Sequence, residues 1–178
     1  MYHTQVTLVN GNVLVAGGVS ISGPLSIAEV HNPSTGFWTI TSNMNTPRYF
    51  HTVSILTNGN TLAAGGTADL ITALSSAEVY NSSTGLWTTT DPMSTARVLH
   101  TQVTLKNGNV LVAGGTADRT TALSSVEVYD SSTGLWTTTG TINIARFYHT
   151  ASILTNGNVL VAGGADGTEI FSSAEVYG

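Results

Sequence analysis

Polar and apolar residues alternate through "HTQVTLK", residues 100–106, the pattern of a half-buried strand. Asn107-Gly108 follows, a dipeptide that predicts a type I′ hairpin turn with both central residues at positive φ. "NVLVAGG", residues 109–115, is then apolar without alternation, which predicts a strand covered on both faces. "SSVEVYD" (124–130) and "LWTTT" (135–139) read as two further strands turned by "SSTG". No stretch of the chain shows helical periodicity.

This pattern recurs. His3, His51, His100 and His149 are spaced by 48, 49 and 49 residues. The double glycines Gly17-Gly18, Gly65-Gly66, Gly114-Gly115 and Gly163-Gly164 keep the same spacing, as do Asn10-Gly11, Asn58-Gly59, Asn107-Gly108 and Asn156-Gly157. Glu29, Glu78, Glu127 and Glu175 follow in phase, with Trp38, Trp87 and Trp136, and with Arg48, Arg97 and Arg146. A period near 50 means that each unit is one supersecondary element. Four short strands (a to d) per unit predict the four-stranded blades of a β-propeller, an all-β fold. One repeat domain is expected over 1–178, with repeats at about 1–48, 49–97, 98–146 and 147–178. The fourth, ending "EIFSSAEVYG", stops before its strand d, so three complete blades and a three-stranded fourth are expected.

An apolar run ending in Gly-Gly, followed by a Tyr and a Trp seven positions apart (Tyr80/Trp87, Tyr129/Trp136), resembles the Kelch repeat. The "NGNVLVAGG" wording is similar to the Kelch blades of galactose-oxidase-like propellers. The first repeat departs from the pattern with His31 in place of the Tyr, and the fourth has Tyr177 but no Trp. The resemblance implies a Kelch-type propeller, alone or as part of a larger one. It also implies a non-catalytic module for binding protein or another ligand. The copper site of galactose oxidases needs a tyrosine cross-linked to a cysteine, and this chain has no cysteine. The "SSTGLW" segments are similar to sialidase aspartate boxes but lack the aspartate.

Composition narrows the partners. Five Lys plus Arg and a net charge of −5 leave no basic footprint for nucleic acid. No apolar run approaches the ~20 residues of a membrane helix, and the start lacks the pattern of a signal peptide. The compartment stays open; a longer parent protein would point to an extracellular one. Without cysteine there is no disulfide and no thiol chemistry.

Four histidines at the inner strand invite a metal in a central channel, but a residue present in every blade more simply serves folding, and no metal or cofactor is expected. Four Glu and three Arg make up seven of the fifteen charged residues, and a carboxylate between Val126 and Val128 needs a partner. Each Arg is expected to bind a Glu bidentately. A general-acid role for the Glu is not expected, because no repeat differs from the rest as catalysis would require. The tryptophans are expected to pack on the next blade, and the double glycines to allow close approach or positive φ. "NSS" at Asn81 is a glycosylation sequon if the chain is secreted.

The a–b and c–d turns repeat almost unchanged, whereas the b–c and d–a connections vary and should emerge on one face. Binding is expected there, at Asp69, Leu70, Ile71, Asp118, Arg119, Asp166, Glu169, Ile170 and Phe171. Unconstrained drift of loop sequences is the competing reading; changes within "TADRTTA" are expected to shift stability by less than ~0.5 kcal/mol. The partner is expected to be protein, with carbohydrate as the other class. The alternative function is an inactive piece of a larger galactose-oxidase-like or adhesive extracellular propeller. The open edge at 172–177, with Glu175 its one charge, predicts self-association through the incomplete fourth blade.

Overall fold

The computed structural model describes residues 1–69 and 71–178. In chain order the elements are β1 (Thr4–Thr7), β2 (Val13–Ala16), a small hairpin β3 (Val19–Ser20) and β4 (Gly23–Pro24), β5 (Ala28–Asn32) and β6 (Phe37–Ile40). The second unit holds β7 (Thr52–Ile55), β8 (Thr61–Ala64), β9 (Ala77–Asn81) and β10 (Leu86–Thr89). The third holds β11 (Thr101–Thr104), β12 (Val110–Ala113), β13 (Ser125–Tyr129) and β14 (Trp136–Thr141). The last holds β15 (Thr150–Ile153), β16 (Val159–Ala162) and β17 (Ala174–Tyr177). Among the described residues there is no helix, hence none long and apolar enough to cross a membrane. Each unit is one antiparallel meander, ordered β1-β2-β5-β6, β7-β8-β9-β10, β11-β12-β13-β14 and β15-β16-β17. These are four propeller blades, the fourth with three strands.

The innermost strands stand side by side, β1 with β7, β7 with β11, and β11 with β15. Among the described residues β15 makes no comparable contact with β1, so the first and last blades each keep one face uncovered. Three identical strands record this. β2, β12 and β16 all read Val-Leu-Val-Ala. In β12, between two blades, all four residues are buried; in β2 and β16 only alternate residues are, and on opposite faces.

The core lies between blades. Leu8, Leu14, Ala16, Ala28 and Met44 of the first blade close on Ala63, Tyr80 and Trp87 of the second. Leu56, Leu62, Ala64, Ala77 and Met93 close in the same way on Val110, Val112 and Tyr129, and Leu111, Ala113, Val126 and Ile142 on Val159 and Val161. Each fully buried Leu or Val contributes roughly 1.5–3 kcal/mol, so the joints, not the single sheets, hold the array together. The tryptophans face backwards: Trp87 packs on the preceding blade rather than the next, at 7% exposure, and Trp136 likewise. Trp38, with no blade behind it, is 55% exposed and stacks only on His31, 4.8 Å away.

The blades alternate in kind. The first and third share Thr-Gln-Val-Thr-Leu in the inner strand, whereas the second and fourth read Thr-Val-Ser-Ile-Leu and Thr-Ala-Ser-Ile-Leu.

The a–b turn differs from the type I′ expectation. Gly11, Gly59, Gly108 and Gly157 have positive φ, but none of the preceding asparagines does. Gly11 N–H donates to Leu8 O at 2.9 Å and Leu8 N–H to Asn12 O at 2.8 Å, which is a three-residue loop closed by a left-handed glycine. The asparagine instead serves the turn through its side chain, Asn10 Oδ1 accepting from Asn12 N–H at 3.0 Å.

Candidate functional site

The segment that enters the second, third and fourth blades is built on Arg-x-x-His. Arg48 Nη2 donates to Glu78 Oε1 at 2.7 Å, and Arg97 repeats this on Glu127. Arg146 reaches Glu175 at 3.2 Å at the more open end. The pairs form as expected, but through one nitrogen rather than two. Nη1 of Arg97 goes to the carbonyls of Gly114 and Ser125 at 2.8 and 3.1 Å. The carboxylate is completed by backbone N–H groups of the incoming loop, Ser94 at 2.7 Å and Thr95 at 3.1 Å for Glu127. Burial alone would raise Glu127; the Ser94 N–H and the Arg97 guanidinium outweigh it and hold the carboxyl below its usual range. Burial lowers Arg97, with Glu127 opposing.

His51, His100 and His149 each tie their blade to the one before. His51 Nε2 meets Thr4 Oγ1 at 2.6 Å, His100 meets Thr52 at 2.7 Å, and His149 meets Thr101 at 2.8 Å. Burial, with the nearby arginine second, depresses His51 to about 3, and burial chiefly depresses His149 to about 4, so both are neutral at pH 7. The imidazoles act as links between blades. Among the described residues no three His, Asp or Glu side chains are placed to hold a metal. The double glycine is where the next Arg-x-x-His segment passes. A Cβ on Gly65 would lie 2.5 Å from Arg97 O, and Gly66 N–H donates to that carbonyl at 2.9 Å.

Just before His3, His51, His100 and His149 the chain bends into the left-handed region at Tyr2, Phe50, Leu99 and Tyr148, with φ of 58°, 55°, 58° and 57°. For non-glycine residues this costs ~1–3 kcal/mol each; buried residues on both sides impose it at Phe50, Leu99 and Tyr148, whereas Tyr2 lies between exposed Met1 and His3. The bend lies where the d–a and b–c connections meet. Tyr49 bridges Thr67, Val98 bridges Thr116, and Phe147 bridges Ala165, so both variable connections do share one face.

On this face the candidate residues divide. Asp69, Asp118 and Asp166 build their own loops, Asp118 Oδ1 accepting the N–H of Thr120 at 2.9 Å and of Thr121 at 2.7 Å. Backbone N–H donation holds all three carboxyls below their usual range. Thr116 is also fully buried, so part of "TADRTTA" is structural rather than free to drift. Phe171 lies 5.1 Å from the Arg146 guanidinium. Ile71 and Ile170 project into solvent at 80% and 92% exposure, and Glu169 is exposed beside Ile170. Leu70 lies outside the described residues. Arg119, itself at φ 67°, donates to Tyr49 Oη at 3.2 Å and lies 6.0 Å from both the Tyr49 and Phe50 rings. Tyr2 stacks on Phe50 at 4.2 Å. Tyr2, Tyr49, Phe50 and Tyr148 were not among the sequence candidates. Their one signal is that aromatics occupy the two places inside Arg-x-x-His in some repeats and not in others.

The fold is that of a repeat propeller in which three of the blades carry structural ion pairs and the variable loops share one side. A Kelch motif matches residues 47–94 and 100–141, half of the chain, and the protein belongs to the Kelch-repeat family. No curated protein matches the chain.

Proposed function

We propose that the protein is a non-catalytic scaffold that binds another protein through the face formed by its b–c and d–a connections. The observation that carries this reading is the aromatic–cation cluster of Tyr2, Tyr49, Phe50 and Arg119, which joins residues from three blades on a strained backbone. Exposed Tyr148, Ile71 and Ile170 extend the same side. Aromatic and arginine side chains on rigid supports are the residues that dominate protein interfaces. Kelch propellers commonly serve as protein-binding scaffolds, and Glu78, Glu127, Glu175, His51, His100 and His149 are committed to holding blades together.

The test is affinity capture with the intact chain, followed by titration of the purified partner. Arg119→Ala and Tyr148→Ala should each weaken binding at least ~10-fold, as interface anchors do. Lys106→Ala, at the a–b turn, should leave it unchanged. Equal binding by all three variants would remove the proposal. Glycan binding lost in the first two variants would make the ligand carbohydrate rather than protein.

A further inference from the structure

The two uncovered faces match each other. The forward face of the fourth blade carries Thr150, Ser152, Leu154, Leu160, Ala162, Ala174 and Val176. Strand register places these where the second blade has Thr52, Ser54, Leu56, Leu62, Ala64, Ala77 and Val79, residue for residue. The back face of the first blade carries Gln5, Thr7, Val13, Val15 and Trp38, where the third has Gln102, Thr104, Val110, Val112 and Trp136, with His31 in the place of Tyr129. The second blade packs on the third within this chain, so a finished example of the joint is present.

We propose that the chain associates head to tail with a second copy, the fourth blade of one seated on the first blade of the other in the geometry of the second-to-third joint. Continuity with that joint identifies the occupant, because its polar bonds have their partners too. His100 Nε2 meets Thr52 Oγ1 at 2.7 Å, which in turn donates to Gln102 Oε1 at 2.7 Å. Gln102 Nε2 donates to Leu62 O at 3.3 Å, and Thr104 Oγ1 to Ile55 O at 2.9 Å. His3, Thr150, Gln5, Leu160, Thr7 and Ile153 supply the same atoms between copies.

Val159 and Val161 are already buried from behind, whereas Leu160 and Ala162 are half-buried and Ala174 and Val176 exposed. Gly163, unlike Gly17, Gly65 and Gly114, has no arginine carbonyl against it. Glu29, half-buried and without an ion pair among the described residues, sits at the solvated rim of the new joint. Such a contact is heterologous; two copies close if both joints form, and otherwise growth continues.

Sedimentation of the intact chain tests this, with Val15→Arg blocking the back face and Ala174→Arg the front. The wild type should sediment at twice its 18.4 kDa or more at ~100 μM, with mass rising with concentration. Each variant alone should be monomeric, and an equimolar mixture should regain a 1:1 pair, since each retains the face that the other lacks. Circular dichroism checks that both fold; should either not, Gln5→Ala is the milder probe, expected to weaken association about fivefold for a lost hydrogen bond. A wild type that stays monomeric to ~200 μM overturns the proposal, since the end faces then close on each other or await a different chain. Association that survives either arginine substitution, or variants that do not complement, overturns it equally.

Discussion

Replacing the strand-c glutamate by glutamine, one blade at a time, is expected to give three different results from one chemical change. In the third blade, Glu127 is fully buried; its two oxygens take the N–H of Ser94, the N–H of Thr95 and Arg97 Nη2. Glutamine has one acceptor oxygen, so its amide must face one of these donors, leaving it unsatisfied at a cost of ~1–3 kcal/mol. The buried guanidinium also loses its counter-charge, and breaking such a pair costs ~3–5 kcal/mol. Arg97 keeps its bonds to Gly114 O and Ser125 O, which limits the total to about 3–5 kcal/mol. Glu78→Gln should cost the same. Glu175→Gln should cost ~1–3 kcal/mol, because its pair is longer, at 3.2 Å, and partly solvated. Glu29 is half-buried and has no ion pair among the described residues, so Glu29→Gln should stay within ~0.5 kcal/mol. Urea unfolding followed by circular dichroism reads the series, and thermal melts should show the two central variants falling by about 10 °C. If Glu127→Gln costs less than ~1 kcal/mol, or Glu29→Gln as much as Glu127→Gln, the ion pairs do not hold the blades as described.

Acid should weaken the array before it protonates the carboxylates. The folded pKa values of His51 and His149, about 3 and about 4, lie below the ordinary 6.5, so the unfolded chain binds more protons between these values. Stability should therefore be complete above pH 6.5 and fall toward pH 4, by about 2 kcal/mol per histidine at pH 5; urea midpoints flat from pH 8 to pH 5 would contradict this. Gly108→Val should lose more than ~1 kcal/mol over Gly11→Val. Both have positive φ, but only at Gly108 would a Cβ strike the Thr57 side chain, while Gly11 faces open space. Trp87→Ala should cost ~3–5 kcal/mol and Trp38→Ala less than ~1 kcal/mol, compared by thermal melts, because only Trp87 has a blade behind it.

Period, blade count and strand order were legible because each depends on a pattern inside one repeat or between adjacent ones. The Glu–Arg pairing was legible for the same reason: two charges in phase within an apolar strand require each other. Burial was not, since Val-Leu-Val-Ala takes three patterns according to which neighbours stand beside it. The direction in which Trp87 packs was hidden likewise, because alternation separates two faces without saying which is forward. Asn-Gly suggested two positive φ values where the asparagine side chain does the work instead. The loop face was half visible. Variable loops marked the side, but the left-handed Phe50 and Tyr148 are set by the buried arginine and histidine around them, not by any preference of their own.

The alternation of blade kinds bears on how such a chain can change its copy number. Two sorts of joint occur, first kind on second and second kind on first. Duplicating or deleting a pair of blades would recreate only these two, with every inner-strand hydroxyl and imidazole meeting its usual partner. Gain or loss of a single blade would set like against like, for instance the Gln and Thr of one inner strand against a Val-and-Leu forward face selected for Val53 and Ile55. Growth that keeps both sorts of joint intact would therefore come in stretches of about 98 residues, twice the spacing of the histidines.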